Sequence, residues 1–310
     1  MVKKCVDIGS DRCPCVLMES GQCYICNMIK GDKCDCGSLW QGVCPYNEYL
    51  QRGKSVVRES TPKKFKVYKT KSYSPTLTVL TLEVPIAYGV KCREMGAFLM
   101  LEWNGWFVPI SVLHVKLDYK VQRAYIDLAV NASGPKTIGL LRMAMVGQEI
   151  MVKGPFYSGV LGREKFKSKE HSIILAKGIA VMPLINVKDL LKCGKVDFYL
   201  DSSKLPEEFL DKYLKDIEYV CVNLETDMFD ISESLKEKYG YSFAKEGINP
   251  NLFFMMSPYY VENLLRLTSF EESRIIRPNH SNMCCGEGIC GSCSYVDKQR
   301  ETIKRCKCID

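Results

Sequence analysis

Seventeen of the 310 residues are cysteine, and they are concentrated at the two ends. Eight precede residue 45, six follow residue 283, and Cys92, Cys193 and Cys221 stand alone between them. Thiols gathered in this way constrain a fold strongly, because they must cross-link, take up metal or be buried. The three isolated cysteines read most simply as small buried apolar residues. The start, Met-Val-Lys-Lys-Cys, carries no apolar signal core, and no window approaches a membrane span. A cytoplasmic location is therefore expected, and there clustered thiols bind metal more often than they pair as disulfides.

The tail carries Cys285-x4-Cys290-x2-Cys293, followed after mostly polar residues by Cys306 and Cys308. Three thiols this close do not all pair as disulfides without strain, but they can converge on one iron cluster. The spacing is that of a plant-type 2Fe–2S loop with a distant fourth ligand, for which Cys306 and Cys308 are rivals. Cys284 reads as a bystander. Gly286, Gly288 and Gly291 suit a loop that bends sharply and aims backbone N–H groups at sulfur. Zinc is the alternative, although its structural sites usually use two C-x2-C pairs.

The early cysteines are Cys5, Cys13, Cys15, Cys23, Cys26, Cys34, Cys36 and Cys44. A shift of 21 carries the first four onto the second four, and each half reads C-x7-C-x-C-x7-C. Ile8 and Ile29, Asp11 and Asp32, Arg12 and Lys33, and Gly21 and Gly42 obey the same shift, so the stretch is an internal repeat. Two sets of four thiols predict two four-cysteine sites. Each site draws on one half, or the halves exchange a ligand as in two-cluster ferredoxins. Two 4Fe–4S clusters are the favoured occupants, with zinc and a redox-thiol module left open. Trp40, Tyr46 and Tyr49 are the expected small core of this module.

Residues 51–62 form a basic linker, with Arg52, Lys54 and Arg58 among Ser, Thr and Pro. From 65 to 153 the pattern is mostly strands. The run 76–84 alternates, 96–103 and 106–115 flank the hairpin signal Asn104-Gly105, and 121–130 and 149–152 follow. Six strands and a short helix at 138–145 predict a closed antiparallel barrel. Beyond 162 the rhythm is βα. Strands are expected at 172–176, 196–200, 219–222 and 252–256, and helices at 179–191, 206–214, 232–239 and 259–268. Such alternation implies a parallel sheet.

The stretch Met283-Cys284-Cys285-Gly286-Glu287-Gly288-Ile289-Cys290-Gly291-Ser292-Cys293 resembles the cluster loop of the dihydroorotate dehydrogenase electron-transfer subunit, in the ferredoxin–NADP reductase superfamily. The resemblance covers roughly residues 62–310. It implies a flavin-type β-barrel at 63–161, a nucleotide-binding-type α/β domain at 162–272 and a 2Fe–2S tail at 273–310, with the cysteine-rich module at 1–50 as an addition. It places FAD on the barrel through Pro109 and Ser111 of Val108-Pro109-Ile110-Ser111, through Gly134, Lys136 and Thr137 of Gly134-Pro135-Lys136-Thr137, and through Gly154, which opens Gly154-Pro155-Phe156-Tyr157-Ser158-Gly159. Val108 stands where the family carries arginine. In the family's glycine-rich nicotinamide turn only Gly178 and Pro183 remain, while Lys177 and Ala180 replace bare backbone. Met256-Ser257-Pro258 replaces Cys-Gly-Pro. A family glutamate before the cluster loop has no counterpart, and the nearest residue, His280, reads as a surface residue.

The resulting expectation is an iron–sulfur flavoprotein that passes electrons between a donor and a redox partner. The donor is a partner protein or NAD(P)H, with NAD(P)H in doubt because its turn has lost its glycines. A net charge of +7 favours an acidic protein partner and is too diffuse for nucleic acid. A partner-binding scaffold with a zinc-stapled N-terminal module on the same fold is the alternative.

Overall fold

The computed structural model describes residues 5–8, 10, 12–34, 44–56, 61–240, 250–268, 270–279, 283–297 and 300–308. The chain divides into two compact units, Lys64–His280 and a terminal unit made of Met1–Lys63 with Ser281–Asp310. His280, Cys36, Trp40 and Arg58 lie outside the described residues.

The larger unit opens with six strands: β1 Lys63–Ser72, β2 Leu77–Pro85, β3 Phe98–Trp103, β4 Trp106–Asp118, β5 Arg123–Asn131 and β6 Glu149–Phe156. They close into a barrel in the order β1-β2-β5-β4-β3-β6. The hairpin β3–β4 turns at Asn104-Gly105, both at positive φ, which is the geometry this dipeptide favours. Alternation explains the apolar run of β2. Leu80, Leu82 and Val84 fill the barrel, while Leu77 and Val79 pack outward into a second core. The helix Pro135–Met143 caps the barrel and begins three residues before its expected start, because Gly134 serves as N-cap and Pro135 fits the first helical turn.

The second half holds β7 Val160–Leu161, β8 Ser172–Lys177, β9 Val196–Asp201, β10 Val220–Cys221, β11 Asn251–Met255 and β12 Ile275–Pro278. Their order is β10-β9-β8-β11-β12-β7. All neighbours are parallel except β12 and β7. The central strands are buried on both faces, as parallel strands must be. Ile174, Ala176, Phe253 and Met255 face one core, and Ile173, Leu175, Leu252 and Phe254 the other. The strand order reverses between β8 and β11, which opens a crevice at the strand C-termini.

The helix expected at 179–191 is broken. A tight turn at Gly178–Val181 leads into Met182–Ile185, and a second short helix follows at Lys188–Leu191. Pro183 tolerates only a first-turn position, so the helix starts at Met182. Asn186 then turns its side-chain amide to the carbonyls of Cys92 and Glu94, at 2.9 and 3.2 Å. Cys92 is buried as expected, but Cys193 and Cys221 are exposed. Cys193 ends a helical turn just before Gly194, and Cys221 lies on the edge strand β10.

Barrel and sheet share the second core, and a buried polar contact also ties them. Asp127 on β5 accepts from Thr81 Oγ1 at 2.6 Å and from the Tyr213 hydroxyl at 2.9 Å, Tyr213 being the last residue of the helix Glu207–Tyr213. A buried carboxylate stripped of a donor bears its desolvation cost alone. Tyr213→Phe should therefore lower stability by about 1–3 kcal/mol in urea titration. A loss below about 0.5 kcal/mol, the usual scatter of surface substitutions, would show that Asp127 does not need this donor.

Candidate functional site

In the terminal unit the loop before β13, Ser294–Val296, carries Cys284, Cys285, Cys290 and Cys293, and Cys306 and Cys308 follow β14, Thr302–Lys304, which pairs with that strand. Gly286, Gly288 and Gly291 all take positive φ, between 72° and 77°, so the loop curls back on itself. The Glu287 and Cys290 N–H groups point at Cys285 Sγ, at 3.3 and 3.5 Å. The Cys306 N–H points at Cys293 Sγ, at 3.4 Å. The Cys306 thiol also hydrogen-bonds Cys293 and holds the Cys293 thiol down at about 6. Burial works against ionisation of Cys290, but hydrogen bonds from Ser292 and Cys285 overcome it and bring that thiol to about 7. Cys285, Cys290, Cys293 and Cys306 are thus gathered as a set, in which Cys290 and Cys293 carry thiolate character while the hydrogen bond to Cys293 and burial push the Cys306 thiol up. Of the two rivals, Cys306 contacts this set, whereas Cys308 forms a backbone bridge with Cys5. Cys284 is exposed and hydrogen-bonds Cys290.

The first half of the N-terminal repeat also gathers. Cys5, Cys13, Cys15 and Cys23 line one small pocket with Asp7, Arg12, Tyr24 and Pro45. Burial pushes the Cys5 and Cys23 thiols up. The second half does not form a comparable group among the described residues. Cys26 is buried in the small core with Met18, Tyr49 and Val56, Cys34 is exposed, and Cys44 caps the helix Pro45–Gln51. Tyr46 packs at the edge of that core. Among the described residues no three Cys, His, Asp or Glu side chains converge as they would on a single metal ion.

Between the two thiol groups lies Lys307, whose side chain is fully buried. Its Nζ meets Asp7 Oδ2 at 2.5 Å and Glu287 Oε2 at 3.7 Å. Burial alone would discharge it, but Asp7 foremost, with help from Glu287, holds its proton on beyond the ordinary lysine range. The sequence reading passed over Lys307, Asp7 and Glu287. The available signal was a lysine flanked by two cysteines.

On the barrel, Val108 and Ile110 turn into the core, while Pro109 and Ser111 alternate to the outside. An arginine at 108 would have nowhere to go. Gly134 is the open cap of its helix, with nothing within 4 Å of where a Cβ would sit. The Thr137 hydroxyl is engaged in the cap, accepting from the Gly134 N–H at 3.3 Å and donating to its carbonyl at 3.1 Å. Lys136 Nζ stands 4.9 Å from the Trp106 ring centre and Lys153 Nζ 4.4 Å from that of Phe107. Gly154, at φ 123°, is a packing position, since a Cβ there would press on Leu99 and Phe156. A helix N-terminus with Lys136 in its first turn fits an anionic diphosphate, so the donor set suits FAD without the family arginine.

The crevice at the sheet's C-terminal edge fits a dinucleotide poorly. Gly178 keeps its left-handed turn at φ 54°, and Pro183 is buried. Lys177, however, lies across the opening. It pairs with Asp201, which is fully buried at the end of β9, and with Glu225 Oε1 at 3.2 Å, and its Nζ lies 5.1 Å from the Tyr260 ring centre. Asp201 also accepts from the Ser203 hydroxyl at 2.6 Å and the Leu224 N–H at 3.1 Å. Burial opposes its charge, but these donors more than offset that and hold the carboxyl below its ordinary range. The turn thus carries an ion-paired lysine in place of bare backbone.

No known protein family matches the chain, and no curated protein does. Solved structures share the fold. An NADH-dependent reduced ferredoxin–NADP oxidoreductase, solved in connection with flavin-based electron bifurcation, aligns with TM-score 0.58 and 14% identity over 78% of this chain and 85% of its own. A ferredoxin NADP+ reductase from Neisseria gonorrhoeae with bound FAD and NADP aligns with TM-score 0.51 and 14% identity over 71% and 99%. An intact type IV self-sufficient cytochrome P450 monooxygenase aligns with TM-score 0.53 and 13% identity over 79% of this chain and 39% of its own. The fold is therefore that of the ferredoxin–NADP+ reductases: an antiparallel barrel followed by a parallel-sheet domain.

Because the folded carboxyl of Asp201 is held below the unfolded value of about 3.9, its stabilisation is full above that pH and fades as pH falls through the lower folded value. Asp201→Asn should cost about 2 kcal/mol at neutral pH, since charged hydrogen bonds are lost. The gap between the unfolding midpoints of wild type and variant should then narrow below about pH 4. A gap that stays constant down to about pH 3 would mean that the charge of Asp201 contributes nothing.

Proposed function

We propose that this protein is an iron–sulfur flavoprotein that carries electrons to or from a protein partner. The observation that carries the reading is the gathering of Cys285, Cys290, Cys293 and Cys306 on one loop-and-strand unit, with backbone N–H groups aimed at Cys285 and Cys293. Four thiols with such donors are the ligand set of a 2Fe–2S cluster. The cavity lined by Cys5, Cys13, Cys15 and Cys23 would hold a second, 4Fe–4S centre. The softness of thiolate ligands favours iron–sulfur there, with zinc as the alternative. The first repeat half then supplies one whole site. A reducing cytoplasm is the setting proposed for such a load of thiols. Among the described residues no helix is long and apolar enough to cross a membrane.

On the barrel, Gly134, Lys136 and Ser111 would hold FAD, with Lys136 facing its diphosphate. A flavin bound there supplies the exchange between two-electron and one-electron carriers that no side chain performs. The chain's own residues set what can reach it. Lys177 and Asp201 close the crevice from which a nicotinamide would approach, so the reading takes a protein rather than NAD(P)H as the donor. The excess of basic residues favours an acidic face on that protein.

Anaerobically purified protein should contain flavin and about six iron and six sulfide per chain, from the 2Fe–2S centre and the 4Fe–4S centre of the first repeat half. About ten of each would mean that the second repeat half holds a further 4Fe–4S centre. Zinc with no iron, sulfide or flavin would instead establish a metal-stapled scaffold. Cys306→Ser and Cys290→Ser should each abolish the 2Fe–2S signal in electron paramagnetic resonance, while Cys308→Ser keeps it; the reverse order for 306 and 308 would overturn the ligand set. NADH and NADPH should leave the visible spectrum unchanged where dithionite bleaches it. Bleaching by either nucleotide would return the dinucleotide to the crevice and displace Lys177 from its role.

A further inference from the structure

The terminal unit contains a charge placement that the proposed function does not require. Lys307 is fully buried, and its ammonium lies between two carboxylates that belong to different thiol sites. Asp7 lines the cavity of Cys5, Cys13, Cys15 and Cys23. Glu287 sits inside the tail loop, between Cys285 and Cys290. The lysine stem is clamped as well, since a Cβ on Gly288 would come within 3.1 Å of Lys307 Cγ and 3.4 Å of Leu17. The backbone around it joins the two ends. Val6 N–H donates to the Lys307 carbonyl at 2.8 Å, and Cys5 bridges Cys308. Tyr24 repeats the pattern, because it lines the same cavity and its hydroxyl accepts the Lys304 N–H at 2.9 Å, two residues before Cys306.

Buried ion triads are poor stabilisers, because desolvation offsets most of their attraction, and an apolar replacement of like size is often as stable. A fully buried lysine flanked by Cys306 and Cys308 therefore calls for a reason other than stability. We propose that Lys307 is a shared electrostatic positioning residue, which couples the N-terminal thiol site to the tail thiol site and makes both easier to reduce. The inference rests on the iron–sulfur reading above. A thiol-ligated centre gains one negative charge for each electron it accepts. A fixed cation in a medium of low dielectric stabilises that added charge at every centre near it. Asp7 and Glu287 act in the opposite sense and moderate the effect. Two centres that share one cation are also tuned together, so a single substitution must move both potentials.

The test is a potentiometric titration of anaerobic protein, with the tail and N-terminal centres followed separately by electron paramagnetic resonance. Lys307→Gln should shift both midpoints to more negative values, and Lys307→Arg should leave both near wild type. Should the lysine variants fail to fold, Asp7→Asn carries the test, because it removes a negative charge while keeping side-chain size. It should shift both midpoints to more positive values. A structural role for Lys307 would not produce shifts of opposite sign from the two substitutions. Midpoints that stay put in Asp7→Asn, or a shift confined to one centre, would overturn the coupling. Wild-type protein without iron and sulfide would overturn the proposed function itself, and the metal count distinguishes that outcome from a failure of the coupling alone.

Discussion

The terminal unit, as far as its residues are described, has one small apolar cluster, Met18, Cys26, Tyr49 and Val56, beside a few other buried side chains such as Leu17 and Ile303. A unit with so little apolar mass is marginal by hydrophobic burial alone. What holds it is the closure of the two ends of the chain on each other, through the Cys5–Cys308 bridge and the Val6–Lys307 hydrogen bond. That closure also brings the two groups of thiols into one unit. Structural cohesion and the chemistry of the ends therefore depend on the same few contacts, and metal binding would add its own free energy to them.

The larger unit is organised on the opposite principle. Most of its strands are buried on one or both faces, and its three apolar clusters run through the barrel and along both faces of the sheet. At the strand C-termini of that frame Lys177 ends β8 and Asp201 ends β9, and the two pair beside Glu225, next to the tight turn at Gly178.

Most of the larger unit was legible in the sequence, since alternation, the Asn104-Gly105 turn and the βα rhythm are local signals. The break at Asn186 was not, because the carbonyls it meets are those of Cys92 and Glu94, far away in the chain. Exposure of Cys193 and Cys221 was missed for a similar reason, as residue type says little about an edge strand or a helix end. The tail thiols could be grouped from spacing, whereas the preference for Cys306 over Cys308 required the contact with Cys293. The pairing of Asp7 with Lys307 spans 300 residues and leaves no local pattern.

That separation has a consequence for how the protein is made. Synthesis at roughly 5–20 residues per second puts about 15–60 s between the emergence of Asp7 and that of Lys307. The Lys64–His280 unit lies between them in the chain, and an N-terminal-first order lets it fold while the early thiols still wait. For that interval Cys5, Cys13, Cys15 and Cys23 have no tail to close against. Any assembly factor that loads or shields them has to act within that window, on a nascent chain whose first segment is complete only when its last has left the ribosome.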